Sequence, residues 1–297
     1  MDPVKKSLIS LHLTVMLLGG TALFSQLISL NSLDITFGRS AFACILLWAF
    51  VKFSGESLRL NNQKDYLMGI LLGVIMAMHW VTYFMAMQYA GVSVGIIALF
   101  TFPVITVLLE PYFEGIKLVW QDIASALVVL FGIALIVPDI SLDNDITLGV
   151  LIGVISAFLY SLRNLLHRKH FSHYSGSKAM AFQTLVICPC LIWFISDDFV
   201  VMGQQNLLLL FLLGTIFTAV PHAMVANALK HLRAKTFSLV ACMQPFYGVV
   251  FAIIMLNEQP TWQTLLGGLL VISAAIYETI NTHKTHKRNL RQAQVCK

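Results

Sequence analysis

The sequence predicts an all-α polytopic membrane protein, with ten transmembrane helices arranged as two inverted five-helix repeats. Three observations support this prediction: the composition, the distribution of basic residues, and sequence features that recur at one spacing. Of the 297 residues, 58 % are hydrophobic and only 11 % are charged, whereas about a quarter of an average soluble domain is charged. With a mean hydropathy of +0.81, this composition excludes an ordinary soluble protein and a disordered one.

Charged and turn residues divide the chain into ten apolar runs, each close to the roughly 20 residues that a membrane-spanning helix needs. The first run follows Lys5 and Lys6 and resembles a signal peptide. It is long and has no convincing small-x-small cleavage site, so we expect a retained anchor. The predicted spans, called first to tenth below, are 8–30, 34–53, 66–89, 92–112, 120–138, 147–166, 178–196, 205–229, 236–256 and 262–281.

The basic residues provide an independent check on the number of spans, because Lys and Arg accumulate in cytosolic segments. With ten spans and a cytosolic N-terminus, 18 of the 19 basic residues fall in cytosolic segments or at the cytosolic ends of spans. The exception is Arg39, inside the second span. The outer connections hold acids such as Asp139, Asp143 and Glu258. We therefore predict a multi-pass plasma-membrane protein with both termini cytosolic, and the short loops suggest a bacterial inner membrane.

An internal repeat appears at a spacing of 142 residues. This spacing separates Pro103 in the fourth span from Pro245 in the ninth, and Trp120, which opens the fifth span, from Trp262, which opens the tenth. A five-span unit has an odd number of crossings, so the second copy must enter the membrane inverted. Inverted repeats are typical of secondary transporters, whose substrate site lies between the repeats near the midplane. The predicted units are a first repeat (8–138), a second repeat (147–281) and a basic cytosolic tail (282–297).

Short motifs near the two prolines carry a family resemblance. Residues 102–106 read Phe-Pro-Val-Ile-Thr, residues 244–248 read Gln-Pro-Phe-Tyr-Gly, and Leu-Asn-Glu at 256–258 closes the ninth span. Over residues 8–281 the chain resembles the ten-helix EamA-type drug/metabolite transporter superfamily. The resemblance implies export or exchange of small metabolites by alternating access. The family has a Gly-Glu-like ending after both proline-bearing spans, and here Ile116 takes the place that matches Glu258.

Several polar residues within the spans are candidates for a substrate site. Arg39 is the one basic residue in the outer half of the membrane, where a charge must be paired or hydrated. It could hold a substrate carboxylate or phosphate, or pair with an acid such as Asp34. His79, Trp80 and Tyr83 share one broad helical face, which could line a cavity or form an aromatic packing stripe.

Three further candidates lie in the second repeat. His222 in the eighth span is 142 residues from Trp80, so the two positions could face one central cavity. Gln244 and Tyr247 share a face of the ninth span with Phe251. Polar groups at such positions either line water or bond to a neighbouring helix.

Prolines and acids within the spans suggest how a carrier could move. A proline removes a backbone donor and kinks a helix, so Pro103 and Pro245 are candidate hinges, with a simple packing kink as the alternative. Glu110 and Glu278 lie in the inner leaflet. Either could carry a proton, or could instead reach the interface or cap a helix.

The sequence therefore predicts a secondary carrier that moves a small polar or amphipathic metabolite, such as an amino acid, outward by alternating access. It contains no HExxH, P-loop or dinucleotide motif, so we predict no catalytic residue, metal, cofactor or nucleic-acid partner. Gly-x-x-x-Gly pairs at 69–73 and 149–153 indicate packing seams and leave a homodimer open. The alternatives are an intramembrane enzyme acting on lipid-linked substrate and a non-transporting membrane scaffold.

Overall fold

A computed structural model describes residues 3–115, 118–137, 141–222, 224 and 240–295. Every regular element in these ranges is a helix. Seven helical segments are long and apolar enough to cross a membrane, and they match the first four predicted spans and the sixth to eighth. These segments are Ile9–Leu27, Ser32–Phe53, Gln63–Ala90, Val92–Phe113, Asp145–His170, Gly176–Phe194 and Gln204–His222.

Three shorter apolar helices occupy the positions of the fifth, ninth and tenth predicted spans. They are Trp120–Ile136, Gln244–Leu256 and Trp262–Glu278. The predicted all-helical, two-repeat fold is confirmed, whereas the count of ten membrane crossings stays a prediction. The last helix continues to Val295, so the predicted tail begins as an extension of the tenth span. Residues 225–239, where the eighth span was predicted to end and the ninth to begin, lie outside the described residues.

Side-chain caps explain why several helices begin a few residues before the apolar runs do. Asn31 Oδ1 accepts a hydrogen bond from the backbone N–H of Asp34 at 3.0 Å, and Asn62 Oδ1 accepts one from Asp65 at 2.9 Å. Ser175 caps the seventh span in the same way. Such caps satisfy backbone donors that have no partner within the helix. The first-turn aspartates also favour the positive end of the helix dipole.

The most extensive helix contacts in the described residues join one repeat to the other. The third span packs along the sixth, the second along the seventh, the fifth along the tenth, and the first along the ninth. Repeat-to-repeat packing therefore forms most of the core.

The glycine pairs singled out in the sequence lie in these seams within one chain. Gly69 and Gly73 face the seventh span, and Gly149 and Gly153 face the third and fourth. A Cβ atom on Gly149 would lie 2.8 Å from the backbone nitrogen of Ala90. Only a residue without a side chain lets the helices approach this closely.

Both proline-bearing spans have a two-residue turn just before the proline, at the place where the kink is predicted. In the fourth span a two-residue turn at 100–101 separates the helices Val92–Leu99 and Phe102–Glu114. In the ninth span the turn at 242–243 precedes Gln244–Leu256. Pro103 and Pro245 are the second residues of the helices that follow, where a missing N–H costs little because it would have no intrahelical partner.

The same two spans also end alike. Gly115, with φ +67°, ends the fourth span, and Asn257, with φ +54°, ends the ninth. These left-handed positions are again 142 residues apart. The repeat thus extends from sequence motifs to backbone geometry, including the breaks.

Polar contacts between the repeats group the connections at two ends of the bundle. At one end Asp34 Oδ1 accepts a hydrogen bond from the backbone N–H of Ser196 at 3.0 Å. At the other end Ser175 Oγ donates to Glu56 Oε2 at 2.6 Å. We call the end with Asp34 the outer end and the end with Glu56 the inner end, following the orientation predicted from the basic residues.

Candidate functional site

A cavity of about 390 Å³, called the chamber below, lies between the two repeats. Its wall contains residues of the first four spans, the sixth, and the eighth to tenth. It brings together nine of the residues singled out in the sequence: Arg39, His79, Trp80, Tyr83, Pro103, Glu110, His222, Gln244 and Glu278.

Arg39 is a buried cation held by neutral groups. Only 3 % of the residue is exposed. Its Cζ lies 3.9 Å from the centroid of the Trp80 ring, within range of a cation–π interaction, and its Nε donates to Thr218 Oγ1 at 2.8 Å. No carboxylate of the described residues forms an ion pair with it. A charge buried this deeply is costly unless an anion compensates it, so the chamber suits a substrate that bears one.

Thr218 is a site residue that the sequence did not reveal. It belongs to a π-helical turn, Thr215–Ala219, within the eighth span. Its hydroxyl donates to the carbonyl of Leu213 at 2.6 Å and therefore presents a lone pair to Arg39. Such turns occur frequently at functional sites. No sequence pattern predicts the π-helical turn at Thr215–Ala219.

The two histidines of the chamber are oriented by backbone carbonyls. His79 Nδ1 lies 3.0 Å from the carbonyl oxygen of Ser156, and His222 Nδ1 lies 2.7 Å from that of Thr218. A carbonyl can only accept, so each Nδ1 carries the proton. Each neutral ring then keeps Nε2 as an acceptor.

Aromatic rings form one side of the chamber. The Tyr160 ring stacks on the His79 ring with centroids 4.8 Å apart and an interplanar angle of 25°. The Phe102 ring meets Tyr160 edge-on at 4.9 Å. The hydroxyl of Tyr83 is buried with no hydrogen-bond partner among the described residues. The wall is therefore amphipathic, with a broad ring surface and polar groups within it.

The two candidate acids differ in their surroundings. Glu110 Oε1 lies 2.9 Å from Arg168 Nη2, in an ion pair that links the two repeats. Glu278 is 2 % exposed, and its carboxylate lies beside the Ser125 side chain without an ion pair to a basic residue among the described residues. Glu278 thus has less compensation for a negative charge than Glu110.

Tyr247 is not among the residues that line the chamber. It packs with Leu11 and Val15 of the first span, whereas Gln244 faces the chamber and its Nε2 lies 3.4 Å from the Leu18 carbonyl. The ninth-span helix starts at Gln244, directly after the break. Gln244 and Tyr247, one turn apart, thus both contact the first span, and of the two Gln244 also reaches the chamber.

The chamber continues toward the inner end. A second cavity shares Tyr160 and His222 with it and reaches Glu56 and Ser175, in the connections that precede the third and seventh spans. Toward the outer end, all eight residues of Val92–Leu99 are buried. In the described residues the fold is thus more open at the inner end than at the outer end.

Two repeats of helices around a shared amphipathic chamber define a polytopic membrane carrier. The EamA-like transporter family model matches residues 5–137 and 147–278. The chain therefore belongs to the EamA-like transporter family, within the drug/metabolite transporter superfamily, and is a multi-pass membrane protein that acts on a small-molecule substrate.

Curated relatives in this family are similar over most of their length. A protein of Rickettsia bellii named an S-adenosylmethionine uptake transporter is 20 % identical over 269 residues, covering 88 % of each chain. A Pseudomonas aeruginosa protein named a pseudopaline exporter is 25 % identical over 259 residues, covering 84 % of this chain and 86 % of the relative. One solved crystal structure, 16 % identical, superposes with a TM-score of 0.63 over 92 % of this chain and 98 % of its own. The named relatives differ in direction and substrate, so both belong to the proposal below.

Replacing Thr218 with valine is expected to weaken substrate binding without unfolding the protein. Valine has the same shape but cannot accept the hydrogen bond from Arg39. We expect KM to rise by up to about tenfold, because Arg39 loses the charge-assisted bond that orients it, with the maximal rate largely kept. The measurement is substrate counterflow in proteoliposomes. Thr215→Val is the matched control, since Thr215 Oγ1 donates to the Phe211 carbonyl and, among the described residues, makes no bond to Arg39. Equal KM values for the two variants would remove Thr218 from the site.

Proposed function

We propose that this transporter exports small amphipathic metabolites that carry a carboxylate, such as amino acids, by alternating access. Its setting would be a bacterial inner membrane, with both termini in the cytosol and the two repeats, 8–138 and 147–281, rocking about the chamber. The observation that carries the proposal is Arg39, a buried cation in the chamber wall that has no carboxylate partner among the described residues.

The groups around Arg39 support a substrate with both a carboxylate and an amine. Arg39 and the Tyr83 hydroxyl offer donors for the carboxylate. The Nε2 atoms of His79 and His222 offer acceptors for the ammonium group, and the Tyr160 and Trp80 rings suit its side chain. One polar cluster inside an otherwise apolar cavity is the usual composition of a small-molecule site.

The matched breaks support a rocking motion. A helix interrupted by a two-residue turn bends there at little cost, because the hydrogen-bond ladder is already open. Pro103 and Pro245 keep the following helix from extending backward through the break. We assign them a hinge role, and we assign Glu278, rather than the paired Glu110, as the candidate proton carrier.

The two alternatives are less well supported. A scaffold would pack its third, fourth, eighth and ninth spans without a polar cavity, whereas the chamber lies between these spans. An intramembrane enzyme receives no support from the relatives, which are named transporters.

The first test compares the metabolites in the medium of overexpressing and deletion cells. We expect one or a few amino-acid-like compounds to accumulate outside overexpressing cells by several-fold, because more copies of an exporter carry more of its substrate out of the cell. The compound found is then tested by counterflow in proteoliposomes. Depletion of a compound from the medium would indicate uptake instead. Unchanged metabolite profiles, with no counterflow of any amino acid, would contradict the substrate class.

A further inference from the structure

The carboxylate of Glu258 joins the two repeats at the outer end. Its Oε1 accepts a hydrogen bond from the backbone N–H of Val92 at 2.6 Å. Its Oε2 accepts from the backbone N–H of Ser93 at 3.0 Å and from the Ser93 hydroxyl at 2.6 Å. Three hydrogen bonds to one carboxylate are charge-assisted and stronger than neutral ones. Their donors lie at the start of Val92–Leu99, where the helix dipole also favours an anion.

The backbone on both sides is shaped for this contact. Asn257 takes a left-handed conformation, and the backbone N–H of Glu258 bonds to the carbonyl of Ala252 at 3.2 Å, a helix ending that turns Glu258 out of its helix. Gly91 has φ +82°, and a Cβ there would lie 3.0 Å from Glu258 Oε1. The turn thus needs a glycine both for its backbone angle and for the space that the carboxylate occupies.

The position of this contact matters for access to the chamber. Val92–Leu99 is the outer half of the fourth span, and its residues are all buried. Leu99 and the Phe102–Glu114 helix that follows contribute to the chamber wall. Glu258 in the second repeat therefore holds the segment of the first repeat that closes the chamber from the outer end.

The sequence supplies this carboxylate in one repeat. At the 142-residue spacing the position that matches Glu258 is Ile116, which has no carboxylate to offer. The two repeats therefore differ in sequence at this helix ending.

We propose that Glu258 is an outer-end latch, which holds the carrier closed at that end and makes the inward-open form its resting state. The proposal rests on the alternating access proposed above. The transport cycle must break the three hydrogen bonds of Glu258 each time the chamber opens outward. Weakening the latch shifts the resting population toward the outward-open form.

A cysteine already in the chamber wall serves as the reporter. Cys242 lines the chamber, and a full-length variant with Cys44, Cys188, Cys190 and Cys296 changed to alanine keeps it as the one thiol. A membrane-impermeant maleimide is applied to intact cells and, separately, to inside-out vesicles, and the labelling rate is measured in each. Thr106→Cys, in a background where Cys242 is also alanine, provides a second reporter in the same wall.

We expect Glu258→Ala, which removes all three bonds, to raise the labelling rate from the outer end by well over tenfold, since each charge-assisted bond lost is worth up to about that factor. Ser93→Ala removes one of the three bonds and should raise the rate by a smaller factor. Glu56→Ala is the matched control, because its carboxylate also accepts a serine hydrogen bond between the repeats, but at the inner end. An unchanged rate in Glu258→Ala for both reporters, or an equal rise in Glu56→Ala, overturns the latch.

The labelling experiment separates the latch from the proposed function. It uses no substrate, so a wrong substrate class leaves its result intact. If the increase appears in inside-out vesicles instead of cells, the latch holds and the predicted membrane orientation is wrong. If export is found as proposed but labelling does not respond to Glu258, the latch alone is rejected.

Discussion

Arg39→Ala is expected to reduce transport of the identified substrate by about a hundredfold or more. Losing the buried charge that faces a substrate carboxylate typically costs 2–5 kcal/mol, and each 1.4 kcal/mol is about a factor of ten. Arg39→Lys should keep part of the activity. Lysine retains the charge but loses the planar stack on Trp80 and the Nε bond to Thr218.

The measurement for Arg39 is the initial rate of counterflow in proteoliposomes, at equal amounts of purified, monodisperse protein. Arg59→Ala is the matched control, because Arg59 is exposed in the connection between the second and third spans. We expect wild-type transport from it. Full activity of both Arg39→Ala and Trp80→Ala would mean that the substrate binds elsewhere.

Gly149→Val is expected to have the largest effect on stability. A Cβ at Gly149 would lie 2.8 Å from both the Ala86 carbonyl oxygen and the Ala90 nitrogen. These are backbone atoms of the third span and cannot move aside alone. Overpacking of this kind costs about 3 kcal/mol, and we expect the melting temperature in detergent to fall by roughly 5–10 °C.

The control for this substitution is Gly203→Val. Gly203 has φ −71°, a value that valine adopts readily, and no atom lies within 4 Å of the position of its Cβ. The comparison therefore isolates the crowding between helices from the intrinsic effect of replacing glycine by valine. If the Gly149→Val protein had the same melting temperature as the wild type, this result would contradict the close packing of the third and sixth spans.

The helical fold could be predicted because it follows from local rules. Apolar runs must be long enough to cross the bilayer, and basic residues mark one side of it. The repeat was visible because Pro103 and Pro245 hold matching positions. Arg39 was visible as a candidate because a lone charge in an apolar run needs a physical reason, and His79, Trp80 and Tyr83 because helical spacing places them on one face.

The rest depends on contacts that leave no pattern in the sequence. Glu258 stood out in the sequence, but its partners are backbone N–H groups about 165 residues away, and any residue type supplies such a group. Thr218 enters the site through a π turn that widens one helix locally. Helical spacing correctly placed Tyr247 on the same side of the ninth span as Gln244, since both contact the first span. It could not show that the chamber ends before it reaches Tyr247.

The way the repeats pack has a consequence for how the protein is made. The broadest faces of the first five helices contact partners in the second five, such as the third span along the sixth. When only the first half has been inserted, the face of the third span that carries Gly69 and Gly73 has not yet met its partner in the seventh span and contacts lipid. The first repeat can therefore complete its packing only after the second, inverted repeat has been inserted beside it.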